Sequence, residues 1–286
     1  MIYFCADDYG ISTYSNSRIE DCIKNGVLNK VSVLPNGEIS NLKQHISDGD
    51  TVLSLHINLV EGRPLSNPND VSMLISDNGY FKYSFIGLFL LSMSNKRKEL
   101  EKQIYKEIQN QVKSWKTTIG ESAHLSIDSH QHVHMIPLVF KTLMRVIRDE
   151  NLKVENVRIP AEPIFPYLFT PSLYFKYKPI GLIKQWLLKA LAFINRKELK
   201  KSKIQSAYFM GILFSGKLSE DKIRKLLPQY LKLAKKHNKN IEIGFHPGYV
   251  KNGENLIDGT RQDFGKFYYS KWRDTEYNTL LNFNYE

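Results

Sequence analysis

Asp128-Ser129-His130-Gln131-His132-Val133-His134 sets three histidines at alternate positions directly behind the apolar run Leu125-Ser126-Ile127. Side chains two apart on an extended strand point to the same side. A strand that continues through this run therefore puts His130, His132 and His134 on one face, with Asp128 beside them. Neutral imidazole is the commonest protein ligand for borderline transition metals, and a nearby carboxylate can ligate alongside it or orient the ring. A single histidine here would read as a hydrogen-bonded strand end. Three at this alternation, with an aspartate, point to a metal or catalytic site carried at the end of a strand.

Outward from this run, short apolar stretches alternate with helical patterns. Upstream, residues 2–6 read as a buried strand ending at Asp7-Asp8, 15–25 as a helix closed by Gly26, and 31–34 as a second strand. Residues 41–47 form a weak helical pattern, 51–60 a third strand carrying His56, 61–83 a long Gly-, Pro- and Asn-rich loop, and 96–118 a long amphipathic helix. Downstream come a helix over 137–150 with Pro137 at its start and a strand over 154–159 holding Arg158. Residues 161–203 break the alternation with a Pro- and aromatic-rich stretch and a basic helix around 182–195. A strand over 207–214, a helix over 219–237 capped by Ser219, a strand over 241–246 and a final helix over 272–281 complete the chain.

Seven rounds of strand and helix imply a parallel sheet with helices outside, either a barrel or an open doubly wound sheet. Asp7-Asp8, His56, the histidine run, Arg158 and His246 all fall at the C-terminal ends of expected strands. In a closed barrel those ends share one rim, where such enzymes place their chemistry. The expectation is a distorted, TIM-like (β/α) barrel of about seven parallel strands. It spans 1–286 as one domain with an insertion around 161–203.

Composition narrows the class. The chain has 286 residues, 42% of them hydrophobic, enough for one large core. Cys5 and Cys22 are the only cysteines, so no disulfide framework is indicated. The N-terminus lacks the pattern of a signal peptide and no apolar run is long enough to span a bilayer, which together suggest a cytoplasmic protein. Forty Lys and Arg against 29 Asp and Glu give a net charge of +11. An RNP-type aromatic strand, a zinc-finger spacing and a helix-turn-helix signature are all missing, so a lysine-covered face is preferred to nucleic-acid binding.

Four motifs, Ala6-Asp7-Asp8-Tyr9-Gly10, Leu55-His56-Ile57-Asn58-Leu59-Val60-Glu61-Gly62, the histidine run and His246-Pro247-Gly248-Tyr249, occur in one order across nearly the whole chain. Together they resemble the YdjC-like, ChbG-type carbohydrate (chitooligosaccharide) deacetylases. The resemblance implies a distorted barrel, one divalent metal ion and hydrolysis of an N-acetyl group on an amino sugar or oligosaccharide. It puts the metal ligands on Asp8, His56 and His130. Magnesium is the family's usual ion, while two imidazoles suit Zn²⁺ or a similar ion, so ligand type alone leaves the metal open. It makes Asp7 the general base and His246 the general acid, with Arg158 pairing with Asp7 or touching substrate. Members often form homodimers, for which no interface is legible here. Cys5 and Tyr9 depart mildly from the family's common residues.

The 161–203 segment is the larger departure. Packing beneath a lysine-covered helix is its bland reading; a lid over sugar rings, or a peripheral membrane contact beside a lipid-linked glycan, is the sharper one. Two other functions compete with a deacetylase. One is hydrolysis of another acyl or glycosidic bond, although a glycosidase needs two flanking carboxylates and the rim offers few acids beyond Asp7, Asp8 and Asp128. The other is a non-catalytic carbohydrate- or anion-binding protein using the basic face.

Overall fold

The structure is a computed structural model that describes residues 1–39, 42, 51–120, 125–176, 179–250 and 267–284. Seven parallel strands, β1 (Ile2–Tyr9), β2 (Lys30–Val33), β3 (Val52–Ile57), β4 (Leu125–Ser129), β5 (Val154–Val157), β6 (Tyr208–Met210) and β7 (Ile241–Phe245), form one sheet in the order β5-β4-β3-β2-β1-β7-β6. The first and last strands are neighbours, with Phe4 opposite Ile243. The two edges meet at a narrow seam: the Val157 N–H donates to the Gln205 carbonyl (3.0 Å) and the Gln205 N–H to that of Glu155 (3.1 Å). The sheet thus curls into a distorted barrel.

Strand alternation divides the side chains between two environments. On β1, Phe4 and Ala6 join the hydrophobic layer under the helices, while Cys5 and Asp7 turn inward. Barrels of this class usually fill their interior with branched apolar residues. Here the interior is polar, built from Cys5, Asp7, Lys30, Ser32, Ser54, Asp128, Arg158 and Glu242, all buried. The apolar core lies instead between sheet and helices.

The helices are α1 (Thr13–Asn25), α2 (Phe85–Ser92), α3 (Arg97–Thr118), α4 (Pro137–Asp149), α5 (Phe165–Leu168), α6 (Pro179–Ser202), α7 (Glu220–His237) and α8 (Arg273–Asn282). Ser12 caps α1 by accepting the Ser15 N–H (3.1 Å). Buried Leu100, Ile104, Ile108, Val112 and Trp115 recur at helical spacing and seat α3 on the core. Two polar residues on the same helix anchor the loop after β3. Glu107 accepts the N–H groups of Leu65 and Ser66, and Gln111 bonds both the N–H and the carbonyl of Asn58.

Several local expectations change. β4 stops at Ser129, and His130–Met135 forms a tight 3₁₀-type turn in which Gln131 and His132 hold φ of 51° and 61°. The three histidines therefore do not share a strand face. β6 is shorter than expected because the buried Glu162 carboxylate accepts the N–H groups of Gly211, Ile212 and Leu213, drawing the chain out of the sheet. α2 was not anticipated: Phe85–Ser92 is apolar nearly all round and carries no helical period, and Ser84 caps it by accepting the Gly87 N–H. The Ser219 side chain makes no capping bond to α7, whose first turn carries Glu220 and Asp221 instead. The weak helix expected over 41–47 lies, Leu42 apart, outside the described residues.

Candidate active site and metal-binding cluster

The Asp7-Asp8 pair is delivered by a bulge. Ala6 pairs with Val31 and Tyr9 with Val33, so three steps on β1 match two on β2. Asp8 takes up the extra residue at φ 69°, a left-handed conformation that aspartate tolerates better than most residues. The turn falls on Asp8 itself, one residue ahead of Tyr9-Gly10, and β1 runs on to Tyr9. Adjacent carboxylates that a regular strand would send to opposite faces both reach the barrel mouth.

Asp8 Oδ1 lies 2.8 Å from His130 Nδ1 and 3.5 Å from His56 Nε2. The other face of each imidazole is held by a second acid: Asp128 Oδ1 is 2.6 Å from His56 Nδ1, and Glu61 Oε2 is 2.9 Å from His130 Nε2. All five residues are buried. Burial disfavours the imidazolium, but Asp128 together with Asp8 and Asp7 overcomes it and raises His56 to about 9; Asp8, with Glu61, raises His130 to about 10. Burial likewise opposes ionisation of Asp8, yet His130 and His56 hold its carboxyl well below the usual range. The pocket is built to stabilise concentrated positive charge among carboxylates.

Three sets of candidate donors cluster within 4.8 Å among the described residues: Asp8–His56–His130, Asp7–His56–Asp128 and Cys5–Asp128–Glu242. Arg158 separates them. Its guanidinium forks onto Asp7 (2.7 and 2.8 Å), donates to Glu242 (2.5 Å) and reaches Asp128 (2.9 Å). Lys30 adds a second cation on Glu242 (2.8 Å). The acids of the second and third sets are thus already paired with a cation. Asp8–His56–His130 remains; among the described residues the cation in ion-pair contact with it is Arg273, 3.9 Å from Asp8 Oδ2. Beside it, Glu61 Oε1 is buried without a hydrogen-bond partner among the described residues. Two imidazoles, one carboxylate and an unsatisfied acceptor fit a divalent cation with open coordination positions.

His246 follows β7 on the same rim. Glu276 of α8 accepts its N–H (2.6 Å) and stands 3.7 Å from its Nδ1, while Arg273 donates to its carbonyl (3.0 Å). Phe267 meets the ring edge-on. His246 lies close enough for its charge to help lower Asp8. His134 is structural, bonding Ser129 and the Arg158 carbonyl. His132 is buried against the edge of Phe209, and its Nδ1 has no partner.

Asp7, Asp8, His56, His130 and His246 therefore gather at this rim with Arg158 just beneath, whereas His132 and His134 of the histidine run are held elsewhere. Four contributors were missed: Glu61, Tyr268, Arg273 and Glu276. Tyr268 donates to Glu61 (2.5 Å) and lies 3.1 Å from His130 Nε2. Glu61 stood inside the His56 motif, so a signal existed for it. Tyr268, Arg273 and Glu276 sit in and before the last helix, where nothing in the local pattern distinguishes them from surface residues. A cavity of about 730 Å³ lies elsewhere, lined by Lys30, Trp115 and Asn156 at the opposite end of the barrel. It contains none of the candidate chemistry.

A family description, YdjC-like protein, matches residues 1–284. The chain is 31% identical over 162 residues to a carbohydrate deacetylase of Thermoanaerobacter pseudethanolicus, covering 56% of this chain and 61% of that protein. It is 30% identical over 171 residues to a carbohydrate deacetylase of Danio rerio, covering 58% and 52%. A chitooligosaccharide deacetylase of Escherichia fergusonii is 26% identical over 162 residues, covering 56% and 59%. The matches thus span roughly half to three fifths of these relatives' lengths. An Enterococcus faecalis V583 protein, described as a candidate cellobiose-phosphate cleavage protein, has a crystal structure that matches at TM-score 0.65 and 17% identity. The match covers 98% of this chain and 90% of that one, and it establishes the shared fold.

Proposed function

The chain belongs to the YdjC-like family, and on that premise we propose that it hydrolyses the N-acetyl group of an amino sugar or sugar oligomer, releasing acetate and the free amine. The observation that carries this reading is the convergence of Asp8, His56 and His130, with donor atoms within 4.8 Å of one another, on the rim that also holds His246 and Asp7.

Asp8, His56 and His130 would hold one divalent metal ion. Asp128 behind His56 and Glu61 behind His130 fix the rings, as outer partners of ligating histidines do. Such an ion supplies Lewis acidity, lowering the pKa of a bound water and polarising the acetyl carbonyl. The protein's own groups move the protons. Asp7 accepts the proton of the attacking water; Arg158 keeps its carboxylate ionised and so able to accept one. His246 delivers a proton to the departing amine nitrogen, with Glu276 fixing its backbone and facing its ring. A specific observation supports a second candidate for the base. Pairing with Arg158 lowers Asp7 below the range in which a base works best, whereas Glu61 presents a buried, unpartnered Oε1 beside His130.

The test is acetate release from a panel of N-acetylated mono- and oligosaccharides, with chelation and metal re-addition, run on the protein and on Asp8→Ala and His246→Ala. We expect chelator-sensitive release that both variants lose, with bound metal lost only in Asp8→Ala. Asp7→Asn and Glu61→Gln identify the base: its removal lowers kcat by about 10²–10⁴ while metal content is retained. No release from any sugar by a protein that binds no divalent metal overturns the reading.

A further inference from the structure

α2 and α6 both seat their inner faces on one small apolar cluster, formed by Met135, Leu188, Leu191, Phe209 and Ile212 with Phe85 and Phe89 beside it. That cluster belongs to the barrel mouth. Met135 closes the histidine turn, Phe209 meets His132 edge-on, and Ile212 follows the end of β6. The first half of α6 lies beside the mouth, where Lys184 feels Asp7 and Asp8, while its second half borders residues that precede β6 and β7. The outward residues of the two helices therefore run from the mouth down one flank of the barrel, and they are apolar. On α6, Ile183, Trp186 and Phe193 recur on one face and are exposed by 64%, 61% and 64%. On α2 and just after it, Ile86, Leu90 and Met93 are exposed by 52%, 58% and 61%. Single exposed apolar side chains are ordinary; a run of them along two adjoining helices marks an interaction surface.

Charge identifies what covers it. Residues 163–197 contain no Asp or Glu and six Lys or Arg; residues 78–98 contain no Asp or Glu and four. The cations stand beside the exposed rings, with Arg196 3.5 Å above Phe193 and Lys189 5.7 Å from Trp186. A second copy of this chain fits poorly, because a two-fold contact would set the patch against itself, cations facing cations with no acid between them. Among the described residues no helix is long and apolar enough to cross a membrane, so contact of this face with a bilayer would run in the plane of the interface.

From these features we infer that α2 and α6 dock this protein by this flank on an anionic lipid bilayer, which brings the α6 side of the barrel mouth to the headgroups, and that the acetylated amino sugar it takes is one carried on a lipid. Apolar side chains enter the boundary between headgroups and acyl chains while the interleaved cations meet anionic phosphates. The substrate half rests on the deacetylase reading; the docking half stands without it.

The experiment is sedimentation of the full chain with phosphatidylcholine vesicles, with and without phosphatidylglycerol, in parallel with Trp186→Glu/Phe193→Glu. Both side chains are exposed and lie outside the catalytic machinery. We expect pelleting that depends on phosphatidylglycerol, weakens in high salt and falls at least about tenfold in the double variant, since two inserted rings lose their apolar contact. Acetate release from a water-soluble N-acetyl sugar should be equal in the two proteins, whereas release from an N-acetylglucosaminyl diacylglycerol in the same vesicles should fall with binding. Absence of vesicle binding, equal binding without phosphatidylglycerol, or undiminished binding by the variant overturns the docking. A dimer that the variant dissociates, with no vesicle binding, assigns the face to a second copy instead. Equal rates of the two proteins on the glycolipid overturn the substrate half alone. Vesicle binding with no acetate from any substrate leaves docking in place and defeats the deacetylase reading.

Discussion

Arg158→Met would remove the cation at the centre of the barrel while keeping a side chain of similar length. Three buried carboxylates lose a partner, but not equally. Glu242 keeps Lys30 at 2.8 Å and forfeits one charge-assisted hydrogen bond, about 1.5–3 kcal/mol, while Asp128 keeps His56 at 2.6 Å and forfeits an ion-pair contact. Asp7 is worse off. Its described hydrogen bonds other than those to Arg158 reduce to a weak contact with Cys5 Sγ at 3.7 Å. Leaving a buried charge without its partner costs about 3–5 kcal/mol. The Asp7 share alone is a large fraction of the roughly 5–15 kcal/mol that holds a domain folded, and we expect a total loss of at least about 4 kcal/mol after relaxation and protonation blunt the ledger. Urea unfolding at neutral pH, followed by tryptophan fluorescence, measures it. Arg158→Met/Asp7→Asn is the control, since neutralising the most exposed loser should make the double variant more stable than the single one. A loss below about 1 kcal/mol in Arg158→Met, or a double variant no more stable than the single, would refute the claim that the interior is an ion-pair network centred on this guanidinium.

Two further perturbations probe the frame of the mouth. Burial raises the Glu162 carboxyl above its unfolded value, despite the three N–H groups it accepts, so the folded state holds that proton more tightly and stability declines as pH rises from about 4 upward through the folded value. Relative to Glu162→Gln, the native protein should therefore lose stability over that rise in urea titrations, and a difference that is flat or grows with pH would refute it. Tyr268→Phe deletes the hydroxyl that donates to Glu61 and should cost about 1–3 kcal/mol, because Glu61 is buried and already carries one unpartnered oxygen. Acetate release should also drop as the support behind His130 loosens, and wild-type values for both stability and turnover would sever the link from Tyr268 through Glu61 to His130.

The Asp-Asp pair, His56 and His246 were legible because each closes an apolar run, and the rims of parallel barrels collect strand ends. Alternation, however, gave the wrong reason for His130. It reaches the cluster from a turn, and His132 and His134 go elsewhere because Gln131 and His132 adopt left-handed conformations that no strand period anticipates. α2 was invisible for a related reason, since a short segment apolar on nearly every side has no period to read.

The sequence by itself determined the parallel α/β architecture, the rim on which the chemistry collects and the residue types that meet there, because hydrophobic periodicity and strand-end position are local properties of the chain. Only the tertiary structure decided which carboxylates are spoken for. Asp7, Asp8, Asp128 and Glu242 look alike in sequence. Arg158, from another strand, pairs with three of them and leaves Asp8 to the histidines. Likewise Glu61 and Tyr268, 207 positions apart, join the site only because the barrel brings them into hydrogen-bond distance, and Arg273 and Glu276 join it by bonding His246, which lies 27 and 30 positions earlier. The charge state of a buried group is fixed by its neighbours in space, and the chain order does not name them.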